Sequence, residues 1–234
     1  MPNQTGVHVL DNPVHGSLSA PAHAHLALSR GRALRYPADV SPFLGLPDDP
    51  TPDDWTDAAH LLGPDTAAYP HRSGSVPDDW TVVDQFDLVQ MTATSAAEGA
   101  PDPRAVRLGP EDVPEMLELA ALTKPGPFLP RTIEMGTYLG IRQNGVLTAM
   151  AGERMRPPGW VEISAVCTSP DYRGQGLGTS LIRALIAAAT ERGDTAFLHV
   201  TATNTNAIRL YETLGFTTRR DFHLAVLRGP LAVA

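Results

Sequence analysis

Two hydrophobic periods run through the second half of the chain, and the places where one gives way to the other mark its elements. Residues 105–108 alternate as a short strand, and Gly109-Pro110-Glu111-Asp112 then opens a helix whose Val113, Met116, Leu117 and Ala120 share a face. Three prolines within residues 124–130 stop that helix by removing donors and forcing extended backbone, so a substantial loop follows. Residues 137–142 and 146–154 read as strands joined at Asn144-Gly145, the usual dipeptide of a tight hairpin. After a turn at 156–159, an apolar strand over 160–168 runs into a glycine-rich segment and then into a helix. That helix carries Leu181, Ile182, Leu185, Ile186 and Ala189 on one side and ends at Gly193, where a left-handed cap is suited. Residues 195–200 read as a buried strand, Asn204 or Thr205 as the cap of a helix through Leu214, and 222–227 as a last strand.

The first hundred residues are less regular. Thr51-Pro52-Asp53-Asp54 is a helix start with a cap, a first-turn proline and two favourable acids, and Gly63-Pro64 is its stop. Runs 24–28, 33–36 and 80–92 have strand character; in the last, Val82, Phe86, Leu88 and Met91 alternate with an interruption that predicts a bend. Segments 47–52 and 73–79 are rich in Pro, Asp, Ser and Gly, and 95–103 resembles a linker. The reading is two units, an N-terminal half over 1–100 and a second half over 101–234.

Composition narrows the class. An apolar fraction of 42% in 234 residues is enough for a packed core, and the single cysteine, Cys167, excludes an internal disulfide framework. No run approaches the roughly 20 apolar residues of a membrane span, and no signal-peptide pattern opens the chain. A net charge of −8 argues against a nucleic-acid groove or a polybasic membrane face. The expectation is a cytoplasmic protein with neither nucleic acid nor membrane as partner, and a homodimer is left open. His23 and His25 lack a third ligand in register, so no metal is expected.

Chemistry concentrates where the 160–168 strand meets its helix, at Val166, Cys167 and Thr168 followed by Arg173, Gly174, Gln175, Gly176, Leu177, Gly178 and Thr179. A glycine turn opening a helix gathers backbone N–H groups and the positive end of the helix dipole, a concavity suited to a pyrophosphate. Leu177 and Gly178 stand where a Walker loop needs Lys and Ser or Thr, and the strand over 195–200 ends without the acid of a dinucleotide fold. The segment resembles the acyl-coenzyme A signature of the GNAT superfamily of N-acetyltransferases, R/Q-x-x-G-x-G/A, through Arg173, Gly176 and Gly178. Asn206-Ala207-Ile208-Arg209-Leu210-Tyr211-Glu212-Thr213-Leu214-Gly215-Phe216 is similar to a second run of that superfamily. Both lie within the stretch the resemblance covers, 105–228.

The resemblance implies an α/β (α+β) fold with a mixed, mostly antiparallel sheet flanked by helices, in the order β-α-α-β-β-β-α-β-α-β. It implies acetyl-coenzyme A as co-substrate, bound by Val166, Cys167 and Thr168 through their backbone, by residues 173–179 and by Asn206. An amine acceptor receives the acyl group directly, Tyr211 acts as the acid for the departing thiolate, and a strand carboxylate acts as base. Strand parity makes Glu162 the candidate, since it shares a face with Ser164 and Val166, and Glu153 competes with it. Phe128, in the loop that often walls the acceptor site, is the substrate-contact candidate, against the alternative of a loop anchor. Cys167 as an acyl-accepting thiolate is disfavoured, having no local histidine. The N-terminal α/β half, which lacks the coenzyme motif, gives a weak likeness to glycine N-acyltransferases. The expected function is transfer of an acyl group, acetyl in the first instance, to a primary amine of a small molecule, amino acid or peptide N-terminus. The alternatives are a coenzyme A-binding sensor or pseudoenzyme and an antibiotic-modifying enzyme.

Overall fold

The computed structural model describes residues 8–64, 66–70 and 75–230. Its strands are β1 (Leu28–Arg30), β2 (Ala33–Arg35), β3 (Phe43–Gly45), β4 (Ala67–Pro70), β5 (Thr81–Ala93), β6 (Ala105–Arg107), β7 (Tyr138–Gln143), β8 (Val146–Glu153), β9 (Trp160–Thr168), β10 (Thr195–Thr201) and β11 (Phe216–Arg228). They form a single sheet in the order β1-β2-β3-β4-β11-β5-β10-β9-β8-β7-β6. Only β3/β4 and β9/β10 are parallel, so the sheet is mixed and mostly antiparallel, as expected. The helices are α1 (Pro13–Leu18), α2 (Pro52–Leu62), α3 (Val113–Thr123), α4 (Leu177–Glu191) and α5 (Thr205–Thr213). Among the described residues none is long and apolar enough to cross a membrane.

Local chemistry explains the elements that the pattern located well. Thr51 caps α2 in a box with Asp54, whose carboxylate accepts the Thr51 N–H at 2.7 Å, and Gly63 closes the helix at φ 73°. Asn144 and Gly145 both adopt positive φ, 53° and 83°, which matches the twist of the β7–β8 hairpin. Alternate residues of β8 enter different cores, as the pleat requires. Ala149 and Ala151 pack under Leu181, Leu185 and Ile186 of α4, whereas Met150 joins Met116 and Leu119 of α3. A third cluster, with Leu10, Val14, Leu18, Tyr36 and Phe197, fastens the N-terminal segment to β10.

Four expectations change. Residues 24–26 form a 3-10 turn rather than part of a strand, and the strand starts only at Leu28. Where the resemblance implies a second helix before the hairpin, the chain makes a 3-10 turn over Thr132–Met135. The bend expected in β5 is replaced by one continuous strand whose pairing with β11 shifts register twice, once with Val83 as the extra residue and once with Arg219 of β11. The last strand, β11, begins at Phe216 and holds 13 residues.

The pairing of β5 positions the site. This strand, from the first hundred residues, lies between β10 and β11 and pairs with both. The segment that resembles a linker is pinned along α4, where Ala100 N–H donates to Arg183 O at 3.0 Å and a Cβ on Gly99 would lie 2.4 Å from the Ala187 nitrogen.

Candidate active site

Strands β9 and β10 pair only from Thr195↔Trp160 to Phe197↔Glu162 and then separate, so the last residues of β9 have no β10 neighbour. On the other edge of β9 the register passes from Gly152↔Ser164 to Met150↔Cys167, setting Ala165 and Val166 against Ala151 alone. Ala165 sits at φ 52° in this bulge. A non-glycine residue in the left-handed region costs about 1–3 kcal/mol and persists where its surroundings impose it. Bulge and separation together leave backbone groups of the 163–168 run outside the ladder.

Beyond β9 a 3-10 turn over Pro170–Tyr172 leads through Arg173 to two left-handed glycines, Gly174 at φ 78° and Gly176 at φ 73°. A Cβ at either glycine would meet nothing within 4 Å. Glycine is required there by backbone conformation, and the space beside it is open. Gly176 is the N-cap of α4, which receives no side-chain cap and carries no acid in its first turn, whereas α2 and α5 are capped by Thr51 and Asn204. The first N–H donors of α4 therefore have no side-chain acceptor, and the helix dipole faces outward unopposed. A Cβ at Gly178 would lie 3.7 Å from both Val166 and Thr168, so the first turn of α4 stands against the end of β9. Arg173 is exposed, and Gln143 donates to the Gln175 side chain at 3.0 Å. Arg104, which the sequence gave no reason to select, reaches Ser180 at 3.2 Å but is held by Asp102 at 2.7 Å, so it brings an ion pair rather than a free cation to this end of the helix.

Tyr211 lies half-buried on α5 and packs, with Val166 and Tyr172, against the core under α4. Its ring meets Phe216 edge-on at 6.0 Å, and burial pushes its pKa up to about 12. The phenol stays protonated near neutrality. Asn206 is exposed on the first turn of the same helix.

On the face opposite α4 a cavity of about 210 Å³ is lined by Phe43, Tyr69, Phe86, Leu88 and Leu224, by Pro125, Gly126 and Pro127 of the proline loop, and by Arg154, His199 and Thr201. Among the described residues no carboxylate lines it. A row of polar side chains crosses the sheet at its floor. Arg219 donates to Gln90 Oε1 (2.7 Å), and Gln90 Nε2 donates to His199 Nε2 (2.9 Å) and to Leu10 O (2.9 Å). His199 Nδ1 meets Glu162 at 2.8 Å, and Arg154 holds the same carboxylate through two bonds of 2.7 Å while stacking over Phe43. With Gln90 oriented by Arg219, His199 Nε2 is the accepting nitrogen and Nδ1 carries the proton toward Glu162.

This row revises two expectations. Glu162 does not stand open to an acceptor. It is fully buried, and although burial opposes its ionisation, Arg154 and His199 outweigh that and hold its carboxyl well below the usual range. A carboxylate so stabilised is a poor proton acceptor. Glu153 is likewise committed, to Arg192 and to the Thr137 N–H. Phe128 lies in the core, edge-on to Tyr138 at 5.5 Å, and it is its neighbours Pro125 to Pro127 that reach the cavity. Phe128 is thus the loop's anchor.

The other sulfur and nitrogen candidates are structural. Cys167 points into the core beneath α3, where burial raises its pKa. His23 bridges Tyr36 Oη and Met135 O, each at 2.8 Å, and among the described residues no three His, Cys, Asp or Glu side chains are grouped to hold a metal.

Comparison with known proteins bears on both halves. A family model described as FR47-like protein matches residues 138–224. The N-alpha-acetyltransferase RimI of Mycobacterium tuberculosis is 37% identical over 82 residues, which is 34% of this chain and 51% of that protein. The [ribosomal protein bS18]-alanine N-acetyltransferase of Escherichia coli K12 is 45% identical over 62 residues, 25% of this chain and 42% of its own. The chain thus spans about half the length of these curated relatives. A crystal structure from Novosphingobium aromaticivorans DSM 12444, ascribed to the GNAT family of acetyltransferases, superposes with a TM-score of 0.86 at 40% identity, covering 97% of this chain and all of the other.

Proposed function

Because the chain belongs to the GNAT family of acetyltransferases, we propose that it transfers the acetyl group of acetyl-coenzyme A directly to an α-amino group. The observation that carries this reading is the turn from Arg173 to Gly178. Two left-handed glycines with open space beside them stand at an uncapped helix start, next to a strand whose backbone is partly unpaired. These features fit a pyrophosphate followed by an extended, amide-bearing arm. Residues 173–179 would hold the phosphates, Val166, Cys167 and Thr168 the arm through their backbone, and Asn206 the arm's far side. The coenzyme, when bound, supplies an acyl thioester.

The remaining roles fall to this chain's own groups. A backbone N–H freed at the Ala165 bulge supports the oxyanion, and Tyr211, protonated throughout the working range, gives its proton to sulfur as the carbon–sulfur bond breaks and the carbon–nitrogen bond forms. The amine's released proton leaves through water. Among the described residues no carboxylate lines the acceptor cavity to take it, and Arg154 there is already paired with Glu162. Such a cavity offers an ammonium no counter-ion and suits an amine that is already partly neutral. An α-amino group, with an ordinary pKa of about 7.7–8.0, meets that condition far better than a lysine side chain at about 10.4. The names of the RimI and bS18-alanine enzymes agree with an α-amine.

Calorimetric titration with acetyl-coenzyme A, of the protein and of Gly176→Asp, tests the reading. Thiol release is then followed with alaninamide and with Nα-acetyl-lysine amide. Binding that disappears in the variant, with turnover favouring alaninamide, is the expected result. Absence of binding would remove the assignment, and binding without turnover of any amine would leave a coenzyme sensor.

A further inference from the structure

Strand β5 continues well past the end of β10. Their pairing stops at Leu88↔Thr201, with a last backbone bond from Ala202 N–H to Asp87 O at 2.8 Å, while β5 extends back to Thr81 and stays paired with β11 throughout. Among the described residues no strand borders the other edge of residues 81–86. The Asp87 carbonyl faces β10, so the alternation of an antiparallel ladder turns the N–H and C=O of Gln85 to that same open edge. The geometry agrees, since the Gln85 N–H is met by the carboxylate of its own neighbour Asp84 at 2.8 Å.

An open edge flanked by exposed Val82, Val83 and Phe86 is a pairing surface that proteins ordinarily cover or blunt. This one leads to the acceptor cavity, which Phe86 and Leu88 line together with Thr201, the residue at which β10 ends. Residues 75–93 contain Asp78, Asp79, Asp84 and Asp87 and no lysine or arginine. A second copy paired edge to edge would place these acids against their own equivalents, which disfavours self-association.

We infer that the open edge of β5 docks a basic, extended polypeptide, which adds antiparallel to β5 along the line β10 has vacated and so delivers its N-terminal amine to the cavity beside Thr201. The direction follows from the sheet. A strand antiparallel to β5 runs as β10 does, and its N-terminus falls at the Asp87 end only if it leads away from the cavity toward Thr81. This inference rests on the α-amine reading above and names the class of its acceptor. Main-chain bonds to Gln85, whose N–H the peptide takes over from Asp84, supply affinity without demanding a sequence; Asp84 so released, with Asp78 and Asp79, selects positive charge, while Asp87 is met by His223 at 2.8 Å.

The probe is a hexapeptide with a free N-terminal alanine, alternating arginine and valine, and a fluorophore at its C-terminus, titrated against the protein by anisotropy with no coenzyme present. Gln85→Pro removes the outward N–H without deleting a β11 bond, and loss of the peptide's main-chain contacts there is expected to weaken binding about tenfold. The charge reversal Asp84→Lys with Asp87→Lys leaves the backbone intact and is expected to weaken it by about tenfold while improving binding of the glutamate-for-arginine peptide. Melting temperature and acetyl-coenzyme A affinity report whether each variant is folded. Unchanged peptide affinity in both folded variants, no binding to the parent protein, or a dimer in sedimentation that Gln85→Pro dissociates would each overturn the inference. The measurement involves no transfer step, so a failure of catalysis and a failure of docking remain separate results.

Discussion

Fifteen consecutive residues, 165–179, make most of the proposed coenzyme side, whereas the acceptor side takes its groups from β3, β4, β5, β10, β11, the end of β8 and the proline loop. The first needs little from the rest of the molecule beyond a strand and a helix in register. Its donors are backbone groups, its glycines are set by φ, and no buried charge is involved. The second is held by a buried row of ionic and amide groups whose members come from five strands or strand ends. A contiguous site of backbone donors tolerates change in most side chains. An assembled site couples recognition to stability, because removing one member of the row leaves its buried neighbours short of a partner.

Substitutions should separate the two sides. The largest effect is expected at Tyr211→Phe, which removes the proposed acid and leaves its packing. On the coenzyme side kcat should fall by about 10² to 10⁴ with acetyl-coenzyme A affinity unchanged, a contrast read by steady-state thiol release beside calorimetry. A comparable loss of coenzyme affinity would mean that Tyr211 is a packing residue. Glu162→Ala should act on the other side, through the fold. It leaves Arg154 buried without its partner, and denaturant unfolding should register a loss of about 3–5 kcal/mol. A stable Glu162→Ala protein would show that the row is not what holds the cavity.

The smallest effect is a pH dependence. Burial lowers the pKa of His23 to about 4, from 6.5 when unfolded. Between those values the unfolded chain binds a proton that the fold refuses, so stability is full above about pH 6.5 and declines as pH falls toward about 4. The decline from this group is at most about 3 kcal/mol. His23 ties Tyr36 to the 132–135 turn, in a cluster that also holds Phe43, so the loosening reaches the cavity through its Phe43 wall. Melting temperature followed from pH 7 to pH 4.5 should drop less steeply in His23→Gln.

The same contrast explains what could be read from the chain. The turn from Arg173 to Gly178, the Asn144-Gly145 hairpin and the Thr51 cap are local, and each requires a residue type at a fixed spacing, so their positions were legible. Residues 160–168 were placed as a strand at their true bounds. The role of Glu162 was not legible. Strand parity grouped it with Ser164 and Val166, but the bulge at Ala165 turns Val166 to the α4 side, and parity could not reveal that Arg154 and His199 meet Glu162 on the other, because those contacts arise only when β8, β9 and β10 are side by side. Phe128 was ambiguous for a similar reason, since a loop aromatic can face a cavity or anchor beneath it and only Tyr138 decides. Strands β3 and β4, with three and four residues, are too short for alternation to register, and α1 is a helix of six. Nothing in the first hundred residues signalled that β5 pairs with strands made more than one hundred residues later.

That late pairing affects how the molecule comes into being. Met91 must wait for Leu198, and Val89 for Asp221, so a strand rich in valine leaves the ribosome long before either neighbour exists. During synthesis it stays without a sheet, in the class of delayed long-range contacts that slow folding and invite association. A chain cut near residue 100 would give two fragments, one holding the missing middle strand of the other. Expressed together they should reassemble, and expressed singly the larger one should be insoluble.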